Sequence, residues 1–127
     1  MTNTKSVVWF EIYIQDMERA TKFYETVFAT TLEKLQAPDP NVEMMTFPMQ
    51  NDNDHGATGA LVKMEGVSSG GGGTLVYFAS EDCALEAKRI TEAGGKIQKE
   101  KTSLGKFGAM VLGIDTEGNM FGIHSMK

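Results

Sequence analysis

One order of elements occurs twice in this chain, and that repetition constrains the fold more than any other feature. Residues 9–14, WFEIYI, are aromatic and β-branched and read as a strand. The apolar period then changes. Met17, Ala20, Tyr24, Val27 and Phe28 recur at helical spacings, which predicts an amphipathic helix over about 17–29 with Asp16 as its N-cap. Three strand-like stretches follow, TTLEKL, VEMMTFPM and TGALVKM, separated by the turn formers of QAPDPN and QNDNDHGA. After GVSSGGGG the same order returns. TLVYFAS reads as a strand and EDCALEAKRITEA as a helix stopped by Gly94 and Gly95; KIQKEK, FGAMVLGID and NMFGIHSM read as three more strands, with DTEG turning between the last two.

Setting Asp16 against Asp82 places Met17 over Cys83 and Tyr24 over Ile90, so the two helices keep one apolar register. The expected fold is α+β: two tandem βαβββ modules, about 6–64 and 74–127, joined by a Gly/Ser linker at about 66–73, all within a single domain spanning 1–127. The glycine run reads as that linker and not as a phosphate cradle, because no Gly-Lys-Ser/Thr follows it and a strand comes next.

Charge and composition narrow the partners. A net charge of −5, with no basic cluster interleaved with aromatics, argues against a nucleic-acid surface. No run approaches the roughly 18 apolar residues needed to span a bilayer, so no membrane partner is expected. The N-terminal MTNTKSVVWF lacks the pattern of a secretory signal, and the single Cys83 fits a reducing compartment, so a cytoplasmic location is expected. Cys83 itself reads as a small buried hydrophobe.

Alternation in the first strand puts Phe10, Ile12 and Ile14 on one side and Trp9, Glu11 and Tyr13 on the other. The first side is purely apolar. An acid between two amphipathic aromatics fits two descriptions: a solvated face on which Glu11 pairs with a nearby Lys or Tyr, or the wall of a ligand cavity.

Three motifs in this order, DMERATKFYETVF after a first strand, VYFASEDCALEAKRITEAGG opening the second half, and DTEGNMFGI at its end, resemble the vicinal-oxygen-chelate superfamily, which includes glyoxalase I, bleomycin-resistance proteins and extradiol dioxygenases. The resemblance implies that the modules curl into a cup-shaped mixed sheet with helices on its outer face. It also implies a homodimer and, in the metal enzymes of the family, a divalent ion in the cup. Carried over position by position, the family's metal ligands fall on Trp9, Leu75, Gly122 and about Gly59 or Leu61, none of which is a metal donor. A catalytic ion needs about three His or carboxylate ligands, and the chain has two histidines, His55 and His124. The same carry-over sets the cup-facing parity: Trp9, Glu11, Tyr13, Tyr77, Met120 and His124 face the cup, while Phe10, Ile12, Val76, Phe78, Phe121 and Ile123 pack under the helices.

The expected function is therefore that of a glyoxalase or bleomycin-resistance-like protein that binds a small organic molecule, or of a metal-independent enzyme. Glu11 is its polar anchor or general base, Trp9, Tyr13, Tyr77 and His124 are further ligand-binding residues, and no cofactor is required. The alternative is a divalent-metal-dependent lyase, isomerase or dioxygenase in which Glu11 and His124 serve as displaced ligands. Met44, Met45 and Met49 are read either as an adaptable wall or as core filling. His55, within NDNDHG, is read as a solvated loop residue.

Overall fold

The computed structural model describes residues 9–37, 39–48, 57–71 and 74–127. Its elements run β1 (Trp9–Tyr13), α1 (Met17–Phe28), β2 (Glu33–Leu35), β3 (Val42–Thr46), β4 (Thr58–Met64), β5 (Val76–Ala79), α2 (Cys83–Glu92), β6 (Lys96–Ser103), β7 (Ala109–Ile114) and β8 (Met120–Ser125), with a 3-10 turn at Gly105–Phe107. The strands form two four-stranded sheets ordered β1-β4-β3-β2 and β5-β8-β7-β6. In each, the strand before the helix pairs in parallel with the last strand of its module and the other pairings are antiparallel. These are the two tandem βαβββ modules of an α+β fold. No helix among the described residues is long and apolar enough to cross a membrane.

Both helices begin where the repeat places them. Asp16 adopts extended backbone and its carboxylate accepts the Arg19 N–H at 3.1 Å, and Asp82 does the same for Ala84 at 3.1 Å. Each cap satisfies an N–H that lacks an intrahelical partner. Two of the expected strands are shorter than their apolar runs. At the start of TTLEKL the Leu32 N–H is taken by the Glu25 carboxylate at 2.9 Å, so the ladder begins only at Glu33. The strand VEMMTFPM closes at Thr46, and Pro48 has no N–H with which to extend it.

The modules share one core. Phe23, Tyr24 and Val27 of α1 and Cys83 and Ile90 of α2 pack with Ile12, Leu61, Phe121 and Ile123 of the sheets. Phe10, Tyr24, Phe28, Phe47, Phe78 and Phe121 form a continuous aromatic cluster with ring centroids 4.6 to 6.2 Å apart. Phe10 and Phe78 pack against this core while Glu11, Tyr77 and Met120 are exposed, which is the parity expected from alternation. Val76 keeps that parity, beside Phe121 in the β5/β8 pairing, but at the end of its strand it is half-buried and borders a cleft. The methionines also divide. Met45 packs on the core, Met44 lies across Val62 from Tyr13 on the other face, and Met49 and His55 lie outside the described residues.

Candidate functional site

The period of two along β1 aligns Trp9, Glu11 and Tyr13, and their polar atoms converge. The Tyr13 hydroxyl donates to Glu11 Oε1 at 2.7 Å, and the Trp9 indole N–H donates to Glu11 Oε2 at 3.2 Å. Each carboxylate oxygen thus holds one neutral donor. A carboxylate has about four lone-pair directions, so two remain for another molecule. The bond to Glu11 raises the proton affinity of the Tyr13 hydroxyl above its ordinary value, with burial and the carboxylate's charge acting the same way. Tyr13 is a donor throughout the neutral range. Among the described residues no Lys, Arg or His forms an ion pair with Glu11.

Beside this group lies a cleft of about 590 Å³, lined by Glu11 and Tyr13 of β1, Leu75 and Val76 at the start of β5, and Met120 of β8. Its walls come from both sheets, so it is built only when the two modules pack together. Glu11 is the only charged side chain lining it among the described residues. The volume suits a small organic molecule, and a mainly apolar lining with a few polar side chains, here Glu11, Ser68, Thr74 and Asn119, is the usual composition of such sites.

The other expected site residues are placed differently. Tyr77 stands opposite Gly122 in the β5/β8 pairing, 48% exposed, and its ring covers the glycine so closely that a Cβ there would collide with it. His124 is half-buried outside the cleft, with Nε2 2.7 Å from the Phe107 carbonyl oxygen. It lies four residues beyond Met120 on the same strand, about 13 Å away at 3.3 Å per residue. The structure brings Trp9, Glu11 and Tyr13 together, but of the expected ligand-binding residues only Glu11 and Tyr13 line the cleft; Trp9 adjoins it through Glu11, and Tyr77 and His124 stand apart from it.

The positions that correspond to metal ligands do not fit a divalent ion. Trp9 and Leu75 offer no metal donor, and at Gly122 the space of a ligating side chain is filled by Tyr77. Gly59 and Leu61 pair with Phe10 and Ile12 and so face the core, which corrects their expected place on the cup. On the cup side β4 presents Thr58, Ala60 and Val62 instead. Among the described residues no group of three or more His, Cys, Asp or Glu side chains could hold a metal, and Glu11 and His124 are not gathered into one.

A second polar cluster, of which the chain shows no local sign, fixes the cleft's end. Glu117, in the β7–β8 turn, has a fully enclosed side chain. It accepts the backbone N–H groups of Gln15 and Asp16, both at 3.0 Å, the Arg19 guanidinium at 2.6 and 2.9 Å, and the Thr116 hydroxyl at 2.8 Å. Burial alone would raise its proton affinity. The Arg19 guanidinium and the Asp16, Thr116 and Gln15 donors outweigh that and pull its pKa from 4.5 down to about 2. Next to it, buried Asp115 accepts the Tyr24 hydroxyl at 2.7 Å and the N–H groups of Glu117 and Asn119 at 2.8 Å. Burial, then Asp115, push the Tyr24 hydroxyl well above its ordinary value. Asn119 completes the clasp, donating to the Tyr13 carbonyl at 2.8 Å and accepting the Gly70 N–H at 2.7 Å. The turn of the second module therefore grips the end of β1, the start of α1 and the linker.

Comparison with known proteins agrees with this architecture. A family model described as the Glyoxalase/Bleomycin resistance protein/Dioxygenase superfamily matches residues 6–123. No curated protein matches the chain. Among solved structures, glyoxalase I from Zea mays superposes with a TM-score of 0.73 at 24% identity over 93% of this chain. The chain spans only 43% of that enzyme's length. An antibiotic binding protein from Streptomyces sp. CB03234 superposes with a TM-score of 0.64 at 20% identity, covering 98% of each chain. The trypanothione-dependent glyoxalase I of Leishmania major gives a TM-score of 0.70 at 15% identity, over 97% of this chain and 88% of that one. With the family model matching nearly end to end, the chain belongs to the glyoxalase/bleomycin resistance protein/dioxygenase superfamily.

Proposed function

We propose that the cleft between the modules binds a small organic molecule without a metal ion, with Glu11 as its polar anchor. One observation carries the reading: a carboxylate held on both oxygens by Trp9 and Tyr13 borders a cleft whose other walls are mainly apolar. Holding the carboxylate in one rotamer lowers the ordering cost of binding. The same placement lets Glu11 accept a proton from a bound molecule, so the site has the elements of base chemistry as well as of binding. A structural neighbour of nearly the same length is an antibiotic binding protein, which supports binding as the primary role.

A thermal denaturation screen of small aromatic and aliphatic compounds in buffer containing EDTA tests this. Ligands that raise the melting temperature should do so equally with and without chelator, following the mass-action stabilisation of a bound native state. Glu11→Gln, which keeps the shape and removes the charge, should weaken those ligands about tenfold, the usual contribution of one charge-assisted hydrogen bond. Stabilisation seen only when a divalent ion is added would contradict the reading.

We further propose a homodimer. The strands β1, β2, β5 and β6 are the edges of the two sheets, and unpaired edges are commonly protected by association. Sedimentation at micromolar concentration should give twice the 13.9 kDa of one chain, and a monomer there refutes the proposal. A cytoplasmic location is proposed on the single, buried Cys83, and is checked by cell fractionation, where recovery outside the cytoplasm would refute it.

A further inference from the structure

We infer that the molecule bound in the cleft is a cation, a protonated amine or quaternary ammonium on an apolar frame. The inference rests on the binding role proposed above and adds the chemical class of the ligand. Three observations lead to it. Glu11 is the only charged side chain lining the cleft among the described residues, and neither of the ion pairs found there, Arg19 with Glu117 and Lys101 with Asp82, involves it. The two groups that hold it, the Tyr13 hydroxyl and the Trp9 indole N–H, are neutral. They fix the carboxylate's position and leave its charge uncompensated.

The remaining walls restrict what can meet that charge. Leu75, Val76 and Met120 offer no hydrogen-bond donors to an anion, and the hydroxyls of Ser68 and Thr74, which also line the cleft, are neutral and can accept from a cation as readily as donate to an anion. The side chain of Asn119 is already committed at both ends, to the Tyr13 carbonyl and the Gly70 N–H. An anion would therefore meet the like charge of Glu11 with no cationic side chain among the described lining residues to offset it. The Tyr13 ring turns its hydroxyl to Glu11, so what it presents elsewhere in the cleft is aromatic surface, which attracts cations through the ring quadrupole. A neutral hydroxyl could also donate to Glu11, but a hydrogen bond between two charged groups is about twice as strong. The chain's net charge of −5 favours the approach of cations in the same sense.

Trp9 is the only tryptophan in the chain, and because its indole N–H rests on Glu11, its fluorescence reports on that carboxylate. Acetylcholine and its neutral isostere 3,3-dimethylbutyl acetate, which share shape and differ in charge, should be titrated at constant ionic strength against wild-type protein and Glu11→Gln. The expected result is that the cation perturbs Trp9 with about tenfold higher affinity than the isostere, and that Glu11→Gln removes this preference while its circular dichroism spectrum stays that of the wild type. Equal binding of the two compounds, or a preference that survives Glu11→Gln, overturns the cation assignment and leaves the cleft's binding role standing. If neither compound perturbs Trp9 at millimolar concentration the cation assignment is also overturned, and if the thermal screen yields no ligand either, the binding role falls with it.

Discussion

Glu117→Gln will lower the stability of the protein by about 3 kcal/mol at neutral pH, and the deficit will close as the pH falls toward 2. The direction follows from linkage. Glu117 titrates at about 2 in the folded chain against an ordinary 4.5, so its carboxylate form is favoured by folding. The stabilisation is complete above pH 4.5 and is lost as the folded protein takes up the proton near pH 2. A tenfold change in proton affinity corresponds to about 1.4 kcal/mol, and the enclosure of the side chain makes the conversion appropriate here. Glutamine fills the same space and cannot pair as strongly with Arg19. Urea denaturation of both proteins at a series of pH values between 2 and 7 reads the difference directly. A deficit that stays constant with pH would show that the lost contacts are steric and not those of a charged carboxylate.

A larger loss is expected at Asp115. Asp115→Ala will remove the acceptor of the Tyr24 hydroxyl and of two backbone N–H groups at once. Tyr24, on α1 and within the aromatic cluster, is fully buried, so its hydroxyl would lose the partner that satisfies it. Stranding buried donors in this way costs about 1 to 3 kcal/mol for each, and loss of the turn that grips β1 brings the expected total to about 4 to 5 kcal/mol, in the range kept for broken buried networks. Tyr24→Phe should cost only about 1 to 2 kcal/mol, because Asp115 keeps its other partners. The two substitutions share a contact, so the double variant should be less destabilised than the sum of the singles. Denaturant midpoints of the three proteins check this, and strict additivity would contradict it.

These two residues also mark where sequence reading stops. The alternation of Phe10 and Ile12 against Trp9, Glu11 and Tyr13 was legible because β1 has a single buried face, and a period of two then decides every side chain's direction. The helix starts at Asp16 and Asp82 were legible because capping is a local interaction. DTEG was legible as a turn for the same reason. What the turn does was not: the partners of Glu117 lie about a hundred positions away, in the other module, and an acid in a turn looks solvated from its neighbours alone. The linker shows the same limit. Its glycines and serines read as a flexible connector, yet Ser69 donates to the Glu117 carbonyl at 2.6 Å and Gly70 to Asn119.

At the candidate site, the contribution of Tyr77 and His124 to one cup with Glu11 was inferred from strand parity. Parity fixes the face but not the distance along a strand. His124 shares a face with Met120, yet it sits a strand's length from the cleft and turns its ring to Phe107. The pairing of Glu11 with Tyr13, by contrast, was available from spacing, since residues two apart on one strand face are neighbours. Placing Gly59 and Leu61 on the cup failed because their position in the sequence does not reveal the register of β4 against β1, which sets them beside Phe10 and Ile12.

On the function proposed above, an organic-ligand cleft anchored on Glu11 takes the place of the ion held by the superfamily's metal enzymes. Elemental analysis of wild-type protein, Glu11→Gln and His124→Ala, each purified without chelator, puts that replacement to the test. Transition-metal content far below one ion per chain is expected in all three. One ion per chain in the wild type, released by Glu11→Gln or His124→Ala, would contradict the replacement and establish these two residues as displaced ligands of a metal enzyme.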